Sequence, residues 1–288
     1  MTEGEAIAAE APAALRPVAG VMGWPVAHSR SPRLHGHWLA RYGIDGAYVP
    51  MAVPPPGVAK ALRALPQFGF RGCNVTVPHK EAALAAMDEV DTAAKRIGAV
   101  NTVVVGPDGM LSGSNTDGFG FLENLRAAGG PPPGAGPAAV IGAGGSARAV
   151  VAALVDAGCP EIRLANRTSA RAEEVAASIG GPVTVVAWSE RVAMLDGAAL
   201  LANTTTLGMA GQTPLDLPLD ALPVEATVTD LVYVPLETPL LAAARARGNR
   251  AVDGLGMLLH QARPGFEAWF GVAPQVDEAL RAAVLADD

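Results

Sequence analysis

Ala138-Ala139-Val140-Ile141-Gly142-Ala143-Gly144-Gly145-Ser146-Ala147-Arg148-Ala149 is the stretch whose reading decides the fold. Four apolar residues run into a glycine cluster, and a helix-forming run follows. The pattern is G-x-G-x-x-A between a strand and a helix, the arrangement by which a βαβ unit holds a dinucleotide. Gly142 permits the tight turn, Gly144 lets the backbone approach a diphosphate, and Ala147 lets the helix pack close on the strand. Ala143, Gly145 and Ser146 complete the loop. The helix N-terminus offers backbone N–H groups and partial positive charge to phosphates. Glycine turns of this kind also arise for packing alone, so the motif takes its weight from its flanks.

The next strand decides between the two common dinucleotides. An NAD site places an acidic residue about 20 residues on, to take the ribose 2′-hydroxyl. Here the strand end reads Asn166-Arg167-Thr168, with Arg171 one turn into the following helix and no Asp or Glu at the tip. Two guanidinium forks suit a 2′-phosphate dianion. The plain alternative is a pair of surface arginines. Cations at a helix start oppose its dipole, and that mild cost favours a ligand. The expected cofactor is therefore NADP(H).

Outward from the loop the rhythm continues. Strands are expected at 138–141, 162–165, 183–187, 198–202, 226–232 and 250–252, with helices at 146–157, 169–179 and 240–247. Such alternation predicts a parallel, doubly wound sheet. Helices over 255–270 and 276–285 follow. Upstream lies Gly129-Gly130-Pro131-Pro132-Pro133-Gly134-Ala135-Gly136-Pro137, which can be neither helix nor central strand and must join two elements. Before it, strands are expected at 18–22, 48–53, 71–77, 100–105 and 110–112. The last two are joined by the turn Gly106-Pro107-Asp108-Gly109. Helices are expected at 31–42, 57–65, 80–87 and 117–128. The fold class is thus α/β with two domains. Residues 1–117, completed by 255–288, form a substrate-binding α/β domain, and 118–254 form a Rossmann-type NADP-binding domain.

Composition agrees. At 288 residues the chain has room for two domains at about 150 residues each. Half of it is apolar and 5% aromatic, so aliphatic side chains must fill the cores. The net charge of −7 argues against nucleic acid as partner. Cys73 and Cys159 cannot make a disulfide framework. No apolar run reaches about 18 residues, so no membrane span is expected. The acidic start, with Glu3, Glu5 and Glu10, does not resemble a signal peptide. A cytoplasmic location is the default, residues 1 to about 16 read as a loose tail, and a monomer or a homodimer would fit. His28, His35 and His37 form no recognised metal pattern, so no metal is expected.

Two polar stretches stand out. Asn74-Val75-Thr76-Val77-Pro78-His79-Lys80 ends a strand and puts a lysine at a helix start, against the dipole. Asn115-Thr116-Asp117-Gly118 puts a carboxylate at a strand-to-helix switch. Asp117 could be a plain N-cap and Lys80 a solvated charge. Yet Lys60, Lys80 and Lys95 are the chain's lysines against a background of arginine. A lysine can exchange a proton near neutral pH where an arginine cannot.

These stretches, with Gly23-Trp24-Pro25-Val26-Ala27-His28-Ser29-Arg30-Ser31-Pro32, Gly98-Ala99-Val100-Asn101-Thr102, the glycine loop, Asn166-Arg167-Thr168 and Asp253-Gly254-Leu255-Gly256-Met257-Leu258, resemble the shikimate dehydrogenases in order and spacing from about 18 to 285. The resemblance implies reversible reduction of 3-dehydroshikimate by NADPH, in the biosynthesis of chorismate and the aromatic amino acids. It implies Lys80 and Asp117 as the catalytic pair. It implies Ser29 and Ser31 at the substrate carboxylate, Thr76, Asn101, Asp117 and Gln261 at the ring hydroxyls, and Tyr233 nearby. It also implies that residues 203–208, among them Asn203, Thr204 and Thr205, line the cofactor with Leu231 and Gly254. The sequence departs from the family at Asn203-Thr204-Thr205-Thr206-Leu207-Gly208, where Asn-Ala-Thr-Ser is commoner, and at His79, where an aromatic is common. His79 could tune Lys80 or fill space. Two rival readings are a quinate/shikimate dehydrogenase of broader cofactor use and an NADP(H)-sensing module without chemistry. The first would want an acid near Arg167, and the second a missing Lys or Asp.

Overall fold

The computed structural model describes residues 16–286. Residues 1–15 of the tail expected to be loose lie outside the described residues. The first part of the chain runs β1 (Val18–Gly23), α1 (Ser31–Arg41), β2 (Ala47–Ala52), α2 (Val58–Ala64), β3 (Phe70–Val75), α3 (Lys80–Leu84), β4 (Glu89–Val90), α4 (Thr92–Ile97), β5 (Thr102–Val105) and β6 (Leu111–Ser114). Its six strands form one sheet in the order β2-β1-β3-β5-β6-β4. β1 pairs in parallel with β2 and β3, while β5 and β6 form the antiparallel hairpin expected from the 106–109 turn. Gly109 sits at φ +82° in that turn, a conformation that favours glycine.

α5 (Asp117–Ala127) leads out of this sheet. The second sheet follows with β7 (Ala138–Ile141), α6 (Gly145–Asp156), β8 (Ile162–Ala165), α7 (Ser169–Ile179), β9 (Val183–Val186), β10 (Leu200–Asn203), β11 (Thr227–Asp230), α8 (Pro239–Arg247) and β12 (Arg250–Val252). It is wholly parallel, in the order β12-β11-β10-β7-β8-β9. The chain winds outward from β7 to β9, returns to pair β10 with β7, and winds outward the other way. β7 shows why the strand is uniformly apolar. Ala138 and Val140 enter one core and Ala139 and Ile141 the other, because helices cover both faces.

The chain then returns through α9 (Leu255–Phe270) and α10 (Glu278–Leu285). Leu259, Phe266 and Trp269 of α9 pack with Ala19, Val21 and Trp38 of the first unit. α5 and α9 cross closely. A Cβ on Gly120 would lie 2.6 Å from the Gln261 Cβ, and one on Gly256 would lie 1.8 Å from Asn124 Oδ1. Glycine lets the two helices approach to backbone contact.

Several boundaries differ from expectation. β3 stops at Val75 rather than 77: Thr76 N makes the last ladder bond, to Met22 O at 2.9 Å, and Pro78 brings no N–H to continue it. α3 ends at Leu84 rather than 87, and the chain then bends into β4. β4 and α4 were not foreseen. α4 carries ordinary signals, since Asp91 Oδ1 accepts from Ala94 N at its start and Gly98 closes it at φ +75°. Six residues are too few for apolar periodicity to register. The 129–137 connector contains one 3₁₀ turn at Pro133–Ala135. Among the described residues no helix is long and apolar enough to cross a membrane.

Candidate active site

The parallel strands of both sheets point their carboxyl ends at a common cleft, and the antiparallel β5 brings its amino end, with Asn101, to the same side. On the doubly wound side this is the switch point between β7 and β10, where Ile141 pairs with Asn203. Ligands gather at such a point because loops diverge there and leave a crevice.

A cavity of about 170 Å³ forms where the sheets meet. α3 presents Lys80 as its first residue, and the Lys80 carbonyl accepts from Val100 N at 2.9 Å, which fixes the backbone. α5 presents Asp117 as its first residue, so the carboxylate is not spent as an N-cap. Instead it pairs with the Lys80 ammonium and accepts from Asn101 Nδ2 at 2.7 Å. The side chains of Lys80 and Asp117 are 18% and 7% exposed. So desolvated a pair would leave an expensive lone charge if either partner were removed. Asn101 is fixed in turn, since its Oδ1 accepts from Thr116 N and Thr102 Oγ1, each at 2.9 Å. Gln261, from α9, places Oε1 3.4 Å from Asn101 Nδ2.

Ser29, two residues before α1, and Ser31, its first residue, line the same cavity, as do Thr76 and Tyr233. Ser31 N donates to Ser29 Oγ at 3.3 Å, which leaves the Ser29 hydroxyl hydrogen to face a ligand. Burial raises the Tyr233 phenol above its ordinary range, and the charge of Arg30 opposes the rise. All eight side chains expected at the substrate thus line one cavity, together with Ser146, Leu231 and Gly254 from the cofactor set. Asn74 also lines it, and no role had been assigned to it. Tyr48 donates to its Oδ1 at 2.7 Å, and its Nδ2 donates to Asn101 O at 3.2 Å. A buried amide closing a strand was the signal for it. The apolar lining, Val21, Met257 and Leu258 among it, left no such mark.

His79 is buried and turned away from Lys80, with Nε2 2.7 Å from Val53 O. It braces the loop against the β2 end. His35 is buried in the core behind the cavity, stacked at 3.8 Å on Tyr48, and His28 lies exposed on the rim.

A second, larger cavity of about 720 Å³ adjoins the first, sharing Ser29, Ser146, Leu231 and Tyr233. Thr204, Thr205 and Thr206 form its far wall. Gly142 sits beneath at φ +114°, where a Cβ would come within 2.5 Å of Thr204 Oγ1, so glycine is required twice over. Ala143 and Ala147 are buried in support, and Gly144 and Gly145 have open space above them. Ser146 is the residue of the loop that faces both cavities. Asn203 stands back. Its fully buried side chain donates to Leu207 O at 3.1 Å and Asp230 Oδ1 at 3.0 Å and accepts from Thr205 Oγ1 at 2.7 Å, so it shapes the loop from behind. Burial raises the Asp230 carboxyl above its usual range, although Val232 N, Thr238 and Asn203 donate to it. Asn166, Arg167, Thr168 and Arg171 lie outside both cavities, past the end of β8. The two guanidiniums are exposed, and Asn166 Nδ2 donates to Thr168 O at 2.9 Å. The residues present suit a bound dinucleotide: an open glycine loop, a roomy crevice beside it, and exposed basic side chains past the end of the next strand, β8.

A doubly wound sheet with that loop at its switch point, facing a polar cavity with a buried Lys–Asp pair, defines a two-domain dehydrogenase that uses a nicotinamide dinucleotide. Three family profiles cover successive parts of the chain. They are the shikimate dehydrogenase substrate-binding domain at residues 21–103, shikimate/quinate 5-dehydrogenase at 135–206, and the shikimate 5′-dehydrogenase C-terminal domain at 254–284. The chain belongs to the shikimate dehydrogenase family. It is 66% identical over 271 residues to a protein of Paramagnetospirillum magneticum named shikimate dehydrogenase (NADP(+)), covering 93% of this chain and 98% of that one. Its identity to the protein of the same name from Rhodospirillum rubrum is 64%, covering 93% and 96%. Among solved structures, shikimate 5-dehydrogenase of Thermus thermophilus in complex with NADP(H) and shikimate superposes with a TM-score of 0.83 at 40% identity, covering 93% and 98%. Quinate dehydrogenase of Corynebacterium glutamicum in complex with NAD gives 0.86 at 31% identity, covering 93% and 98%.

Proposed function

We propose that this protein catalyses the reversible NADP-dependent reduction of 3-dehydroshikimate to shikimate, a step in the biosynthesis of the aromatic amino acids. The observation that carries the reading is the Lys80–Asp117 pair, set among neutral polar side chains at the foot of the cofactor crevice. NADPH, when bound, supplies hydride to the ring ketone. Lys80 donates a proton to the oxygen that gains negative charge, and Asp117 holds the ammonium in line and accepts from a ring hydroxyl. Proton transfer by a positioned group contributes about 100- to 10,000-fold. Ser29 and Ser31 donate to the substrate carboxylate. Thr76, Asn101 and Gln261, joined by Asn74, meet the hydroxyls, and Tyr233 covers them. Polar groups left unpaired by a wrong ring would penalise its binding.

The glycine loop from Gly142 to Ala147 holds the diphosphate, with Thr204, Thr205, Leu231 and Gly254 along the nicotinamide side; Asn203, expected to line the cofactor, instead holds the 203–208 loop from behind. Asn166, Arg167, Thr168 and Arg171 take the adenosine 2′-phosphate. Residues 1–117 with 255–288 act as the substrate-binding domain, and 118–254 as the NADP-binding domain. Support for this division comes from the strands, since β1 to β6 end before 115 and β7 to β12 fall within 138–252. We further propose a cytoplasmic location and a monomeric or homodimeric state, which fractionation and sedimentation velocity test.

The discriminating assay is a set of initial rates with shikimate and quinate, each against NADP⁺ and NAD⁺. Shikimate with NADP⁺ should give the highest kcat/KM. A higher value with quinate or NAD⁺ would favour the broader dehydrogenase. Binding of NADPH without turnover of either acid would favour the sensing module.

A further inference from the structure

The larger cavity has two walls of different origin. One is the doubly wound unit, with Ser146 at the start of α6 and Thr204 to Thr206 after β10. The other comes from the first unit and carries His28, Arg30 and Arg33. No carboxylate lines this cavity among the described residues, in a chain whose net charge is −7. Arg33 is engaged with the Ala286 carbonyl at the C-terminal end of α10. Arg30 differs. Its Nη1 is buried and has no hydrogen-bond partner among the described residues. A buried guanidinium nitrogen without an acceptor is costly, and such groups in native proteins are generally satisfied by something. Arg30 stands between Ser29 and Ser31 at the start of α1: both serines line the smaller cavity, Ser29 lines the larger one as well, and Arg30 lines the larger.

We propose that Arg30 is a cofactor-binding residue contributed by the substrate-binding unit, its guanidinium donating to the nicotinamide-side phosphate of NADP(H) across the cleft from Ser146. The inference rests on the reading that the chain takes NADP(H) in this crevice. The chemistry fits: a planar fork of donors matches phosphate oxygens, and charge on both partners strengthens each bond. The arrangement has a functional consequence. The residue that meets the cofactor is bonded in sequence to both serines assigned to the substrate carboxylate. Docking of the cofactor therefore fixes the start of α1, and with it the carboxylate subsite, across the gap between the two units.

The test is Arg30→Met and Arg30→Lys, with NADPH bound in a fluorescence titration, 2′,5′-ADP as competitor, and shikimate turnover followed. 2′,5′-ADP carries the adenosine end and lacks the nicotinamide-side phosphate. Arg30→Met should weaken NADPH by about tenfold or more, the range of one charge-assisted bond. It should leave 2′,5′-ADP within about twofold, and Arg30→Lys should recover part of the loss. Unchanged NADPH affinity in Arg30→Met would overturn the proposal. So would a loss confined to the KM for shikimate, which would make Arg30 a reader of the substrate carboxylate. An equal loss for 2′,5′-ADP would mean that the crevice as a whole had been disturbed and would likewise count against it. The wild-type chain guards the underlying reading: if it bound no NADPH or turned over no shikimate with NADP⁺, the proposed function would fail, whatever Arg30 does.

Discussion

At the residue scale the chemistry depends on two charges that the sequence holds 37 positions apart. Lys80 could be singled out from its scarcity and from its awkward place at a helix start, and Asp117 from its place at a strand-to-helix switch. That they act together was implied by the family resemblance alone; spacing and local pattern did not carry it, because β5 and β6 must first form before α5 can bring the carboxylate to α3. The meeting explains why both tolerate unfavourable or unused capping positions. Lys80→Met keeps the aliphatic stem and removes the ammonium. If Lys80 acts in the transition state, kcat for shikimate oxidation should fall by about three orders of magnitude with little change in KM. A rise in KM with kcat preserved at saturation would make Lys80 a binding group only. Near-normal kcat in a variant that melts at the wild-type temperature would remove it from the mechanism. Other residues were visible by type but not by use. Asn203 lies in a quoted loop, yet its amide serves Leu207 and Asp230 behind the loop, a placement that depends on how β10 and β11 pair.

At the element scale, α1 starts at Ser31, just after Ser29 and Arg30, and carries buried aromatic rings along its length. His35 on α1 is entirely buried, stacked on Tyr48 and edge-on to Trp38 at 5.7 Å. Burial holds its pKa down at about 3, from an ordinary 6.5. Above about pH 6.5 the ring is neutral whether the chain is folded or not, and stability is unaffected. Between about 6.5 and about 3 the unfolded chain takes up a proton that the folded chain refuses, so stability is lost as pH falls. The slope from this one group is at most about 1.4 kcal/mol per pH unit. His35→Gln, neutral throughout, should be less stable at pH 7.5 but should lose stability less steeply between pH 6.5 and 4 in urea titrations. Parallel slopes for the two proteins would refute the role of His35. α1 itself was foreseen within one residue from Ser31-Pro32 and Gly43, because helix start and stop signals are local. Its buried face was not, because a histidine in a polar-looking run says nothing of what will lie over it.

At the scale of the whole molecule, two sheets are held at a working distance by α5 and α9. Their crossing depends on Gly120 and Gly256, and it places Gln261 in the cavity. Gly120→Ala would drive a methyl into the Gln261 stem and the Met257 carbonyl. It should cost about 1 to 3 kcal/mol, read as a lower Tm, and should raise the KM for shikimate while the KM for NADP⁺ changes little. An unchanged Tm and KM would mean that the helices separate freely and that the crossing does not set the site. The doubly wound unit was legible almost residue for residue: β7, β8, α7 and β12 fall where apolar runs, a glycine loop and alternation put them. Those signals are local, since a strand buried on both faces must be apolar along its whole length and a phosphate turn needs glycine at fixed steps. The first unit was less legible. β4 pairs only two residues and α4 is barely a turn and a half, too short to carry a period. By itself the sequence determined the fold class, the cofactor loop, the family and the residue types of the site, because each is written in contiguous or regularly spaced residues. The tertiary structure alone decided which polar groups stand in the second rank, how the Lys80–Asp117 pair is braced by Asn101, and that Arg30 lines the larger crevice, because these depend on distances between segments remote in the chain, fixed only when the two sheets are packed.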